Sequence, residues 1–206
     1  ATQSPTVSNS SATGNVTAND TAGGLVGNWT WNGGSSAANR AVRTLSSSFA
    51  TGQVTGKTYS GGLVGFFSSY GGIQASYATG NVTAVGSTSD YFAGGLVGRF
   101  NNLVTLTTGS TGQISGSYAT GAVTVTTNAA LQSLTDGYAG GLVGYNDGPT
   151  LAFVNIRDSY ATGAVSQVNT LGRLRTGGLV GFTDSSIANT YATGAVAGST
   201  PNTSSF

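Results

Sequence analysis

Two short words alternate along this chain, and together they leave it few ways to fold. Gly-Gly-Leu-Val-Gly begins at Gly23, Gly61, Gly94, Gly140 and Gly177 without a substitution. Ala-Thr-Gly-x-Val begins at Ala12, Ala50, Ala78, Ala119, Ala161 and Ala192. Successive copies of the first word lie 38, 33, 46 and 37 residues apart, so the words are fixed while the chain between them varies in length. Stacked units with constant core strands and surface loops free to grow produce such a pattern, because a loop's closure cost rises only slowly with its length.

Both words read as strand. Ala-Thr-Gly-x-Val follows Phe49, Tyr77, Tyr118, Tyr160 and Tyr191 in five copies and Ser11 in the first. A two-residue alternation then puts Ala, Gly and Val on one face, and the aromatic, Thr and the variable residue on the other. Small residues on the inner face would let neighbouring coils approach closely. Val104 to Thr107 and Val123 to Thr126 continue a β-branched alternation. In Gly-Gly-Leu-Val-Gly the glycines serve either a positive φ at a corner or a close backbone approach, and Leu and Val pack. An aromatic follows within two positions of every copy, namely Trp29, Phe66, Phe100, Tyr145 and Phe182, and these are expected to stack in one ladder. Helical periodicity is confined to Ser36 to Leu45, where a short helix is expected after a Ser cap. The fold class that follows is all-β: a β-solenoid (β-helix) of about five to six stacked coils. Each repeat is expected to wind as one coil of three short strands. The chain reads as a single domain over 1–206, with variable surface loops inserted near 28–48, 101–115 and 125–138.

With their flanks the words run as Ser76 to Val82, Ser117 to Val123 and Ser159 to Val165. In that form they resemble the GLUG-motif repeats of large secreted bacterial surface proteins, among them filamentous-haemagglutinin-like adhesins. The likeness runs from about Ser8 to Val196 and departs from the pattern at Ser11 and in the long insertions. It implies a β-solenoid scaffold outside the cell, and it implies little about a ligand.

Composition removes most chemistry. The chain has no Cys, Met, His or Glu, and its six acids are all Asp. Without His there is no ordinary base to activate a Ser or Thr nucleophile. Charged residues make up 6% of the chain and the net charge is +1; a globular domain carries roughly 25%. That leaves no basic field for nucleic acid. Gly52 to Thr58 resembles a phosphate-binding loop but is one residue short, and no helix pattern follows it. No two Asp lie within ten residues of each other, so neither a local calcium loop nor any cofactor is expected. The best cluster of acids is Asp147, Arg157 and Asp158, should adjacent coils bring them together. No stretch is long and apolar enough to span a bilayer. Opening on Ala1 and lacking Met, the chain reads as a secreted form with its leader removed, or as an excised fragment.

These readings point to a non-enzymatic extracellular or cell-surface structural subunit whose open coil edges pair end to end with further copies of itself into a filament. The alternative is an adhesin in which Tyr77, Tyr118, Tyr160 and Tyr191 form an exposed ladder for glycans or a host surface. Trp29 and Trp31 are a further candidate patch, either stacking a sugar ring or capping one end of the apolar rungs. Ice binding through the recurring Thr column, and polysaccharide cleavage by paired Asp, stand behind both.

Overall fold

The computed structural model describes residues 5–30, 42–86, 90–103, 112–127, 136–148, 154–168 and 173–199, and every regular element among them is a strand. The first coil is built from Thr6–Ser8, Ser11–Ala12, Val16–Thr17, Thr21–Gly23 and Val26–Thr30. The same five strands recur in the next four coils, and the sixth contributes Ser186–Ala188, Tyr191–Ala192 and Val196–Ser199. Equivalent strands stack into five parallel sheets, numbered first to fifth in chain order; the first three hold six strands each and the last two hold five. Like residues therefore lie over like. Ala50, Ala78 and Ala119 are in register, as are Val54, Val82 and Val123, and Gly61, Gly94 and Gly140.

One repeat makes one coil, as expected, but of five short strands rather than three. The reason is that each word is bent. Tyr77–Ala78 ends before a corner at Thr-Gly-Asn, and the next strand, Val82–Gly86, belongs to another sheet. Tyr59–Gly61 likewise turns at Gly62-Leu63 into Val64–Ser69. The alternation survives the bend: Ala78, Gly80 and Val82 are buried, Tyr77 is half-buried, and Thr79 and Asn81 are exposed. The expected helix is not continued at its end, where Thr44 and Leu45 lie in the strand Thr44–Ser46. Leu45 is claimed there by a column of branched residues, Val7, Leu45, Ile73, Ile114, Ile156 and Ile187. Each fully buried member contributes about 1.5–3 kcal/mol, which outweighs a weak local preference for helix. Ser36 to Ala41 and Val104 to Thr107 lie outside the described residues.

The two words meet inside the solenoid. A Cβ placed on Gly62 would lie 2.8 Å from the Cβ of Ala78, and on Gly95 2.8 Å from that of Ala119. This waist divides the interior into two cores, one around Leu63, Phe67, Ile73 and Phe100, the other around Val54, Val82, Tyr91 and Val123. The glycines of the words thus serve close approach. Among the described residues the one glycine with positive φ is Gly116, which belongs to neither word.

Gly116 marks a corner that the words do not announce. Asn9, Ser47, Ala75, Gly116, Asp158 and Asn189 occupy the same place in the six coils, between the first two strands, with φ from 45° to 56°. A serine follows the first five of these. Its hydroxyl donates to the carbonyl two residues back and accepts an amide from the preceding coil: Ser76 Oγ donates to Gln74 O at 2.7 Å, and Ser48 N donates to Ser76 Oγ at 3.2 Å. The pattern repeats for Ser48, Ser117 and Ser159. Ser76→Ala leaves the buried Ser48 amide without its acceptor, so it is expected to lower stability by about 1–3 kcal/mol. Urea denaturation would measure this, and an unchanged midpoint would count against the serine ladder.

Candidate functional site

Two outward-facing aromatic arrays are the chemically distinctive features of the surface. The first is the expected tyrosine ladder on the second sheet. Phe49, Tyr77, Tyr118, Tyr160 and Tyr191 are in register, with centroids 4.8 to 5.0 Å apart and planes within 3°. The rings are half-buried on the upper rungs, while Tyr191 is 55% exposed. Stacking at this spacing turns each ring face against its neighbour. The column therefore presents ring edges and a row of phenol hydroxyls to solvent. Exposed Thr51, Thr79, Thr120, Thr162 and Thr193 run beside it on the corner that follows.

Burial, followed by the neighbouring Tyr160 and Tyr77 phenols, pushes the Tyr118 phenol above its ordinary value. The folded state then keeps this proton when the unfolded chain has released it. The ladder's full stability is present below the ordinary tyrosine pKa of about 10 and falls as pH rises through it toward the raised value. A pH titration of phenolate absorbance in wild type and Tyr118→Phe is expected to show a late-ionising phenol that the substitution removes. Superimposable curves after allowing for one lost tyrosine of ordinary pKa would contradict it.

The second array lies where the outer faces of the fourth and fifth sheets meet. The fourth sheet supplies Tyr59, Phe92, Tyr138 and Arg175 in one column, and the fifth supplies Phe66, Arg99, Tyr145 and Phe182 in the next. Tyr59, Phe92 and Tyr138 stack at 5.1 Å. The Arg99 guanidinium sits 5.2 to 5.8 Å from the ring centres of Phe66, Phe92 and Tyr145 and donates to Asp147 Oδ2 at 2.7 Å. Arg175 lies 5.0 Å from the Tyr138 ring centre and 5.4 Å from that of Phe182. It donates to Asp136 Oδ2 at 3.0 Å and to the Tyr138 hydroxyl at 2.7 Å. Cations over rings with their charge met by a carboxylate make a closed surface zipper, worth about 0.5–1 kcal/mol per contact at such exposure.

This array also corrects the single aromatic ladder expected after Gly-Gly-Leu-Val-Gly. The residue directly after the word faces outward, giving Asn28, Phe66, Arg99, Tyr145 and Phe182. The next residue faces inward, giving Trp29, Phe67, Phe100, Asn146 and Thr183. The five aromatics are thus split between core and surface because a one-residue offset reverses a side chain's face. Tyr59, Phe92, Tyr138 and Arg175 were not singled out by the sequence. The signal was present in the second residue before each word, a column visible once the words are aligned.

Other candidates are placed as follows. Trp29 is buried in the core and packs on Phe67 at 6.3 Å, so its ring faces the interior rather than a sugar. Trp31 lies outside the described residues. Asp147, Arg157 and Asp158 do not form one cluster, because Asp147 is held by Arg99 while Arg157 pairs with Asp158 at 2.9 Å. Among the described residues no three His, Cys, Asp or Glu side chains gather where they could hold a metal ion, and no helix is long and apolar enough to cross a membrane.

No protein-family model matches this chain, and comparison with curated proteins and with solved structures found no match. By its own geometry the chain is a stacked parallel β-solenoid, the fold class expected from its repeated words.

Proposed function

We propose that this chain is a non-catalytic structural module of an extracellular or cell-surface assembly, built like the GLUG-repeat scaffolds it resembles and joined end to end through its open rungs. The observation that carries the reading is the stacking inside the solenoid. Val54, Val82 and Val123 lie in register and are fully buried, so each apolar rung is completed by its neighbour. A rung contributed by another copy would continue the same columns, and a net charge of +1 offers little repulsion against it. The arginine-bound carboxylates Asp136, Asp147 and Asp158 support the absence of catalysis, since each is committed to a structural pair. Electron microscopy of purified protein is expected to show rods growing along one axis with concentration. Monodisperse single solenoids at high concentration would end the proposal.

The alternative is adhesion through the tyrosine ladder, favoured by its periodic row of phenol hydroxyls beside the exposed threonines. A regular glycan or host-surface polymer lying along the axis would meet one hydroxyl per rung. Inside the ladder both faces of each ring are taken by neighbouring rings, so a sugar there would meet edges and hydroxyls. Glycan-array binding is expected to fall when Tyr118 and Tyr160 become Ser, and binding that survives both changes would exclude the ladder.

A further inference from the structure

The tyrosine ladder brings four oxidisable rings into contact along one face of the solenoid. Tyr77, Tyr118, Tyr160 and Tyr191 pair in register across the second sheet. Successive centroids are 4.8, 4.9 and 5.0 Å apart, and the planes lie within 3° of parallel. The backbone beneath is fixed by rung bonds on either side of the rings, as with Tyr118 N to Ser76 O at 3.1 Å and Thr120 N to Ala78 O at 3.1 Å. Register and parallel planes together set each carbon ortho to the phenol oxygen opposite its counterpart on the next rung. Tyr77, Tyr118 and Tyr160 are half-buried, so their outer edges can tip together without moving the rung.

Composition and surroundings direct an oxidant to this column. Thiols and thioethers are ordinarily oxidised first, and the chain has no Cys and no Met. Phenols and indoles come next, and Trp29 is buried in the core. Another close tyrosine pair, Tyr138 and Tyr145, has centroids 4.8 Å apart and planes at 81°, but it belongs to the arginine zipper. Arg175 stands 5.0 Å from the Tyr138 ring centre and Arg99 5.2 Å from that of Tyr145. A cation over a ring holds the π electrons and makes one of them harder to remove. Among the described residues no cation lies over a ring of the ladder, whose stacked neighbours are neutral aromatics.

We infer that the ladder is a site of oxidative cross-linking, at which a peroxide joins tyrosines of successive coils through a carbon–carbon bond. Each of two neighbouring phenols gives up one electron and one proton, which leaves unpaired density on the carbons ortho to oxygen. The two radicals couple as a Cε–Cε bond. The hydrogen on each joined carbon then leaves as a proton while the oxygen regains one. The two electrons and two protons reduce one hydrogen peroxide to two waters, so the protein loses two hydrogen atoms per link. The order of rings decides the pairing. Phe49, stacked on Tyr77, has no phenol, so within the ladder Tyr77 couples with Tyr118 and Tyr160 with Tyr191. Such a link ties coil to coil as a disulfide would, in a chain without cysteine. It rests on stacking within one chain and goes beyond the structural reading above, on whose end-to-end joining it does not depend.

The test treats the whole chain with hydrogen peroxide and a haem peroxidase, which takes electrons from accessible phenols one at a time. Dityrosine is read by its fluorescence and by peptide mass. Cleavage after Lys and Arg places the four tyrosines in four peptides, 58–99, 100–157, 158–173 and 176–206. Expected are the joined pairs 58–99 with 100–157 and 158–173 with 176–206, each lighter by two hydrogens, with fragmentation placing the links at Tyr77–Tyr118 and Tyr160–Tyr191. The product should run as a single chain on a denaturing gel. Tyr118→Phe should lose the first pair and keep the second, and Tyr118→Phe combined with Tyr160→Phe should lose both. Phe49 already stands in the column, stacked on Tyr77 at 5.0 Å and 2°, so these variants keep the stacking and remove only the phenols. An absence of dityrosine in the wild type, links mapped to Tyr138 and Tyr145 instead, links only between chains, or undiminished links in the double variant would each overturn the inference.

Discussion

Gly121→Ala is expected to unfold the middle of the solenoid at denaturant concentrations where Gly14→Ala behaves as wild type. Both glycines occupy the same place in the same word. A Cβ on Gly121 would lie 2.0 Å from the Gly80 carbonyl oxygen, 2.5 Å from its carbon and 2.9 Å from Thr79 O. These are backbone atoms, so no rotamer change relieves the collision. Relief requires the two coils to part, at the expense of rung bonds such as Thr120 N to Ala78 O at 3.1 Å and Val82 N to Ala122 O at 2.8 Å. Overpacking a core commonly costs about 1–3 kcal/mol, and a clash fixed in backbone belongs at or above the top of that range. Gly14 has nothing within 4 Å of the added carbon and lacks a positive φ. Its replacement should change stability by no more than about 0.5 kcal/mol, with lower unfolded-chain entropy working in its favour. Urea midpoints of the two variants measure the contrast. Equal midpoints would show that the glycine column does not set the distance between coils.

That contrast indicates what the sequence could and could not disclose. The inward Ala, Gly and Val of Ala50 to Val54 were legible because alternation survives a corner when the residue at the corner has no side chain to reorient. The stacking of equivalent words was legible because a parallel register that puts Val54 over Val82 also puts Gly52 over Gly80, and any slip would bring a side chain against the neighbouring backbone. The left-handed corner was not legible. Asn9, Ser47, Ala75, Gly116, Asp158 and Asn189 are of five different types. Surrounding pairing holds that conformation in place, and Ala75 adopts it without the local side-chain bonds that ease Asn or Asp into it. The number of strands per coil was missed for a related reason, since a corner inside a word interrupts no pattern of hydrophobicity. Of the candidate site, the tyrosine ladder could be read off one repeated position. The columns of the arginine zipper become visible when the words are aligned, but the part played by Arg99 and Arg175 does not, because they stand where other coils carry rings and the fit of a cation among aromatics is a matter of three dimensions.

The division of aromatics between core and surface carries the other large expected effect. Phe100 lies in the inner column of the fifth sheet, fully buried, with its ring 5.1 Å from that of Phe67, which in turn packs on Trp29. Phe100→Ala removes the lowest ring of that column and leaves a cavity among Leu96, Val97 and Ile114, members of the same core. Deletions of this kind cost about 3–5 kcal/mol when the walls cannot collapse. Collapse is resisted here because each wall belongs to a hydrogen-bonded rung whose spacing is fixed. Tyr145 follows its own copy of the word one position earlier, and its ring faces the outer zipper. Tyr145→Ala gives up stacking with Phe182 and the cation contact with Arg99 while the core stays filled, for a loss of about 1–2 kcal/mol. Chemical denaturation of the two variants side by side should therefore separate them clearly, with Phe100→Ala much the weaker protein. If both lost the same stability, the two residues would share one ladder, and the inward and outward columns described for the fifth sheet would be mistaken.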